Sequence, residues 1–195
     1  MNQDQIKQLN EAVEAVKTRK IENVYFVACG GSKAIFDPAQ FIFDRETTLP
    51  SFVYNANEFI HRCPKGLGEN SLVVTCSHSG NTLETTRATQ LAGDKGALTI
   101  SFSYRVDSPL WKATQHPISY VWGPESDPGD NNNGMLYRLV FSILNVLQPN
   151  EKYERAIKAC DNLGKVYEAN KAKFAESAKA FGKKYKNNKL IYTMS

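Results

Sequence analysis

Three runs in this chain, Val24-Tyr25-Phe26-Val27-Ala28, Ser71-Leu72-Val73-Val74-Thr75 and Ala97-Leu98-Thr99-Ile100-Ser101-Phe102, show no alternation of apolar with charged residues. A strand with one wet face alternates in and out with a period of two. A strand with no wet face has to lie in a parallel sheet covered by helices on both sides. Ser51–Tyr54 and Ile118–Trp122 are two further, weaker strand runs. Between the strands the periodicity changes to that of helices: Ile6, Leu9, Val13 and Val16 within Gln5–Arg19, then Lys33–Phe43, Ala56–Arg62 and a segment running to Leu91. Leu136, Leu139, Val140, Ile143, Leu144 and Leu147 mark one more core-facing helix over Met135–Leu147. The pattern predicts an α/β fold in which a five-stranded, mainly parallel sheet is sandwiched by helices.

Residues 1–150 form this domain. After a loop at 123–133, rich in Pro, Gly, Asp and Asn, and the helix that follows it, the character of the chain shifts. Thirteen basic against fifteen acidic residues fall in 1–150, and eleven against five in 151–195, so the net charge of +4 comes from the second part. There Tyr153, Ile157, Cys160, Tyr167, Phe174, Ala178, Phe181 and Tyr185 recur at helical steps, with lysines on the other side. Residues 151–188 are therefore expected to be one long amphipathic connecting helix whose lysines form a solvated face. Aromatic residues keep to the apolar stripe and are not interleaved with the lysines, which argues against nucleic acid as a partner. Residues 189–195, Lys-Leu-Ile-Tyr-Thr-Met-Ser, echo Asn23–Cys29 and are expected to begin a second, truncated unit of the same kind. No stretch nears the roughly 20 apolar residues that span a bilayer, and the polar start lacks a signal-peptide pattern. With four cysteines in no paired framework, the expected setting is cytoplasmic, with no membrane contact.

Two loops carry chemistry, each where a strand hands over to a helix, the place where open α/β sheets collect ligands. The first is Cys29-Gly30-Gly31-Ser32, whose glycines let a ligand approach the backbone and whose serine opens a helix. A tight turn with a capping serine accounts for it equally well. The second, Ser77-His78-Ser79-Gly80-Asn81-Thr82, sets three hydroxyls and an imidazole around a helix N-terminus. A single side chain suffices to cap a helix, whereas several short donors at a positive helix end suit a phosphate. The G-x-x-x-x-G-K-[ST] and G-x-G-x-x-G patterns do not occur here, which points to a phosphate monoester and away from nucleotides; no cofactor is expected. Cys76 with His78 and His61 with Cys63 lack the further ligands a zinc site needs, and His116, before Pro117, reads as a solvent-facing loop residue.

Cys29–Ser32, Asn57-Glu58-Phe59 and Ser77–Thr82, in that order and spacing, resemble the sugar isomerase (SIS) domain over about residues 20–150. The resemblance implies a flavodoxin-like or Rossmann-like sheet that binds a sugar phosphate. Ser32, Ser77, Ser79 and Thr82 would hold the phosphate, assisted by the backbone at Gly31, His78 and Gly80. His78 is either a ligand contact or an exposed loop residue. Val27–Ser32, Tyr54–Ile60 and Ile191–Met194 look more narrowly like the bacterial fructosamine deglycases. Those enzymes cleave fructoselysine 6-phosphate or a related Amadori product with water, giving glucose 6-phosphate and a free amino acid.

On this resemblance the chain corresponds to the phosphate-binding, amino-terminal half of a two-domain enzyme, and it would be inactive alone. The acid–base residues would then lie in the second domain and are not identifiable here. Glu58 is the one carboxylate in a motif near the expected pocket, with a role more in fixing the neighbouring loop than in taking a proton. A non-catalytic sugar-phosphate sensor, an aldose–ketose isomerase and the isomerase part of a glucosamine-6-phosphate synthase remain alternatives. The exposed stripe at Tyr167, Phe174 and Phe181 predicts a homodimer or higher homo-oligomer.

Overall fold

The structure, a computed structural model, describes residues 1–124 and 126–192. Helix α1 (Gln3–Lys17) leads into strand β1 (Asn23–Ala28), short helices α2 (Gly30–Ala34) and α3 (Phe36–Glu46), and β2 (Ser51–Asn55). Then come α4 (Ala56–Arg62), β3 (Ser71–Cys76), α5 (Leu83–Asp94), β4 (Leu98–Ser103), α6 (Pro109–Ala113) and β5 (His116–Ser119). Three helices follow: α7 (Asn132–Leu147), α8 (Glu151–Asp161) and α9 (Leu163–Tyr185). The strands lie in the order β2-β1-β3-β4-β5, every pair parallel.

Strand parity explains the continuous apolar runs. Val24, Phe26 and Ala28 of β1, with Leu72, Val74, Leu98, Ile100 and Phe102 beside them, face a large core under α1, α3 and α7. Tyr25, Val27 and Val73 face the opposite way, against Ala56 and Phe59 of α4 and Ala88 and Ala92 of α5. This second layer is thinner, and Thr75 there bonds Thr89 at 3.0 Å and Ser101 at 2.6 Å, so its buried hydroxyls are paired. At about 25 cal/mol per Å2 of apolar surface, the first layer carries most of the hydrophobic stabilisation.

Four boundaries differ from those read in the sequence. The helix expected over Lys33–Phe43 is split at Ile35, because Pro38 cannot share a turn with the carbonyl of Ala34 and is tolerated only in the first turn of a new helix. The fifth strand is His116–Ser119 instead of Ile118–Trp122. As an edge strand it accepts Pro117, and α1 closes its end: Gln8 Oε1 accepts from both the Ser119 N–H (2.8 Å) and the Ser119 hydroxyl (2.9 Å). His116 is accordingly half-buried in a strand and not in a solvent-facing loop; burial pushes its imidazole pKa down, with Glu11 opposing and Arg19 adding to the shift.

The long helix expected over 151–188 is interrupted at Asn162, whose backbone leaves helical geometry and whose side-chain amide donates to the Lys158 carbonyl at 2.8 Å. Two residues on, a Cβ at Gly164 would overlap the carboxylate of Asp127, so the 123–133 loop sits against the start of α9 at a spot only glycine leaves open. Helix α8 is tied to α3, since Glu46 accepts from Lys152 (2.6 Å) and from the Tyr153 hydroxyl (3.2 Å). Tyr167, Phe174 and Phe181 line an exposed stripe on α9, the last two each 53% accessible. Of the segment expected as a strand at 189–195, Leu190–Tyr192 has no regular structure and 193–195 lie outside the described residues.

Candidate phosphosugar site

The strand order reverses between β1 and β3: the chain leaves β1 toward β2 on one side and leaves β3 toward β4 on the other. Connections diverge there, leaving a crevice beyond the carboxyl ends of these two strands. Both loops singled out in the sequence open into it, because Ala28 and Cys76 are register partners and each loop starts one residue later. The Ser32 hydroxyl reaches the Cys76 thiol, and Thr85 Oγ1 lies 3.9 Å from Cys29 Sγ. Cys76 itself is sealed in the core, and burial pushes its thiol up to about 12 with Ser32 opposing, so it is a packing residue and not a nucleophile.

In the first loop Cys29 makes no side-chain cap for α2, and a Cβ on Gly30 or Gly31 would meet nothing within 4 Å. The loop backbone faces open space. In the second loop Ser77 is buried and its hydroxyl bonds Thr82 Oγ1 at 2.9 Å. Thr82 is the N-cap of α5 but gives the helix no side-chain cap bond, which leaves the first turn of α5 without an acceptor from it. Ser79 Oγ accepts from the Asn81 N–H at 3.2 Å. The N–H groups of Ser77 and Gly80 are engaged by the carbonyls of Phe102 (3.1 Å) and Ser77 (3.0 Å).

Gly80 fixes the loop. Its φ is +67°, and a Cβ there would overlap the side chain of Ser108, which caps α6 by accepting from the Trp111 N–H at 3.3 Å. The Gly80 carbonyl in turn accepts from the Leu110 N–H at 3.0 Å. The loop after β3 is thus braced by the β4–α6 connection, which sequence reading had not associated with the site.

His78 lies among aromatic residues. Its ring stacks on Tyr104 at 5.2 Å and 5° and meets Trp122 edge-on at 5.0 Å and 70°. Its Nδ1 is 2.9 Å from the Tyr120 hydroxyl. Tyr120 is 3% accessible and burial pushes its phenol well above the usual range, so it stays protonated. The signal for this cluster was present as Phe102-Ser103-Tyr104 and Tyr120-Val121-Trp122, aromatic residues just past the ends of two strands. Glu58 is exposed and pairs with Arg62 one turn on, at 3.0 Å, so its ion pair is within α4. Among the described residues no group of three or more His, Cys, Asp or Glu could hold a metal ion, and no helix is long and apolar enough to cross a membrane.

A parallel sheet that reverses order between two loops built of glycine and hydroxyl residues is a ligand-binding α/β architecture, and the SIS domain matches residues 17–147: the chain belongs to the SIS domain family. It is 45% identical over 190 residues to fructosamine deglycase FrlB of Bacillus subtilis (strain 168), covering 97% of this chain and 58% of the relative. It is 30% identical over 142 residues to fructoselysine 6-phosphate deglycase of Escherichia coli K12, covering 71% of this chain and 40% of that protein. A crystal structure from Bacillus subtilis, named as a candidate phosphosugar isomerase, superposes with a TM-score of 0.88 at 45% identity, covering 96% of this chain and 58% of that one. Another, from Salmonella typhimurium LT2, gives 0.88 at 31% identity, covering 100% and 59%. The chain therefore spans between two fifths and three fifths of the length of these relatives.

Proposed function

We propose that this chain is the phosphate-binding half of a fructosamine-6-phosphate deglycase, a hydrolase that turns an Amadori sugar phosphate such as fructoselysine 6-phosphate into glucose 6-phosphate and the free amino acid. The observation that carries this is the meeting of Cys29–Ser32 and Ser77–Thr82 at one crevice, with hydroxyls on both sides and backbone room at Gly30 and Gly31. The two relatives named as deglycases support the choice of substrate. Ser32, Ser77, Ser79 and Thr82 hold the phosphate oxygens, the mutual bond between Ser77 and Thr82 opening so that both hydroxyls turn to the ligand. His78 and the backbone at Gly31 complete the cradle, Gly80 shapes the loop with its N–H held by the Ser77 carbonyl, and the open first turn of α5 adds its positive end.

The reaction needs no electron acceptor. A base removes a proton from C1 of the ketosamine as the C2 oxygen takes one, then C2 is protonated and the nitrogen gives up its proton, leaving an imine at C1 and a hydroxyl at C2. Water adds to that imine, and the amine leaves with a proton. The acid–base groups belong to a second SIS domain of the same protein. Glu58, exposed and paired with Arg62 within α4, serves to fix the neighbouring loop more than to take a proton. The chain acts in the cytoplasm as a homodimer or higher homo-oligomer.

Calorimetric titration with glucose 6-phosphate and fructoselysine 6-phosphate tests the assignment. A hydrogen bond to a charged phosphate is worth about 1.5–3 kcal/mol, so the double variant Ser77→Ala, Ser79→Ala should bind both ligands at least a hundredfold more weakly. Equal affinity in the variant, or no binding by the intact chain, would remove the phosphate role from these loops.

A further inference from the structure

We propose that Tyr104 and Trp122, held in place through His78, form an aromatic subsite that takes the cationic amine end of the sugar phosphate. The inference rests on the reading above, in which the phosphate occupies the crevice at Ser77–Thr82. Tyr104 follows β4 and Trp122 follows β5, so both stand at the carboxyl ends of strands, on the same edge of the sheet as the hydroxyl loop. The loop and the rings are one assembly: the Tyr104 N–H donates to the His78 carbonyl at 3.1 Å, and both rings contact the His78 ring.

From below the assembly is fixed, since buried Tyr120 holds His78 Nδ1. Above it is open: Trp122 is 58% and Tyr104 44% accessible, although neighbouring Tyr120 is almost fully buried. Rings held this firmly and left uncovered present their negative faces at no further ordering cost. A cation within about 6 Å of such a face is attracted, most strongly by tryptophan. Among the described residues, the protein's own cations lie over Tyr54, Tyr167 and Tyr185, which leaves Tyr104 and Trp122 free for a ligand.

The chemistry of the substrate class makes this pairing apt. The nitrogen of a ketosamine is a secondary ammonium at neutral pH, attached at the opposite end of the sugar from the phosphate. An aromatic quadrupole attracts the ammonium without carrying net charge, so it adds no repulsion toward the phosphate dianion. The site thus reads the two ends by different means, hydroxyls for the phosphate and rings for the ammonium.

The test uses the full chain and two ligands of matched shape, 1-deoxy-1-methylamino-fructose 6-phosphate and its neutral ether, 1-O-methylfructose 6-phosphate, titrated by calorimetry at pH 7. The intact chain should prefer the amine by about tenfold. In Trp122→Leu, Tyr104→Leu that ratio should fall to near one, chiefly through weaker binding of the amine, while Trp122→Phe retains part of it. Both replaced side chains are surface-exposed, and unchanged far-ultraviolet circular dichroism would show the fold kept. Equal affinity of the intact chain for the two ligands, or a ratio preserved in the double variant, overturns the subsite and leaves the phosphate loop standing. Failure of both ligands to bind the intact chain overturns the phosphate assignment and the subsite together. A double variant that changes mass in light scattering but keeps the ratio would make the patch a contact between copies of this chain, again overturning the proposal.

Discussion

Gly80→Ala separates two physical reasons for a glycine in the candidate phosphate loop. At φ +67° an alanine pays the left-handed penalty of about 1–2 kcal/mol. Its Cβ also overlaps both the hydroxyl and the Cβ of buried Ser108, so the Ser108 backbone must shift and the cap on the Trp111 N–H goes with it. Losing an N-cap costs about 1 kcal/mol, so the variant should be destabilised by about 2–3 kcal/mol in total. Glycine at an N-cap costs only a few tenths, so Ser108→Gly removes the obstacle cheaply. Gly80→Ala, Ser108→Gly should then be more stable than Gly80→Ala alone by about 1 kcal/mol, keeping only the backbone penalty. Urea unfolding followed by tryptophan fluorescence and circular dichroism measures both, with Trp111 on the helix concerned. A single variant within about 0.5 kcal/mol of the parent, or a double variant less stable than the single, would refute the reasoning.

Further outcomes follow from other contacts. Because Cys76 keeps its proton up to about pH 12 when folded but titrates near 9 when unfolded, the unfolded state binds fewer protons in that window, and stability should fall as pH rises above 9. The difference between the parent and Cys76→Ala in urea melts should shift by up to about 1.4 kcal/mol per pH unit there; a pH-independent difference would contradict the burial argument. Lys152 and Tyr153 hold the Glu46 carboxyl below its usual value, so Glu46→Gln should cost about 1 kcal/mol near pH 7, an advantage that the parent loses as pH falls below 4.5. Gly164→Ala should loosen the start of α9 from the 123–133 loop, seen as faster amide exchange over 163–170, and Asp127→Gly in the same chain should restore part of the protection. Light scattering at micromolar concentration should give a mass at least twice 21.8 kDa, and a strictly monomeric chain would show that the α9 stripe needs no covering from a second copy.

The central strands were legible because β1, β3 and β4 lack a solvent face, and that leaves an unmistakable run of apolar residues. The edge was not: β5 is four residues long, contains Pro117, and is positioned by Gln8 from the far end of the chain. The break between α8 and α9 was hidden because the apolar spacing runs on through Asn162, and Asp127, which packs on Gly164 at the start of α9, lies thirty-seven residues before that glycine. In the candidate site, the loop residues announced themselves as hydroxyls in excess of capping needs. The residues that brace them, Ser108, Tyr104, Tyr120 and Trp122, belong to segments distant in sequence, and only the sheet brings them to the same edge.

The reversal of strand order between β1 and β3 also bears on when the site comes into being as the chain folds. The two loops follow strands separated by more than forty residues, and every strand pairing in this sheet is non-local. Parallel pairings of high contact order form late, after loop-closure entropy has been overcome. A partly folded chain with α4 and α5 in place would still lack the crevice. Ligand should therefore bind only the completed sheet and resist its global unfolding by RT ln(1 + [L]/Kd), while leaving the fraying of α9 untouched.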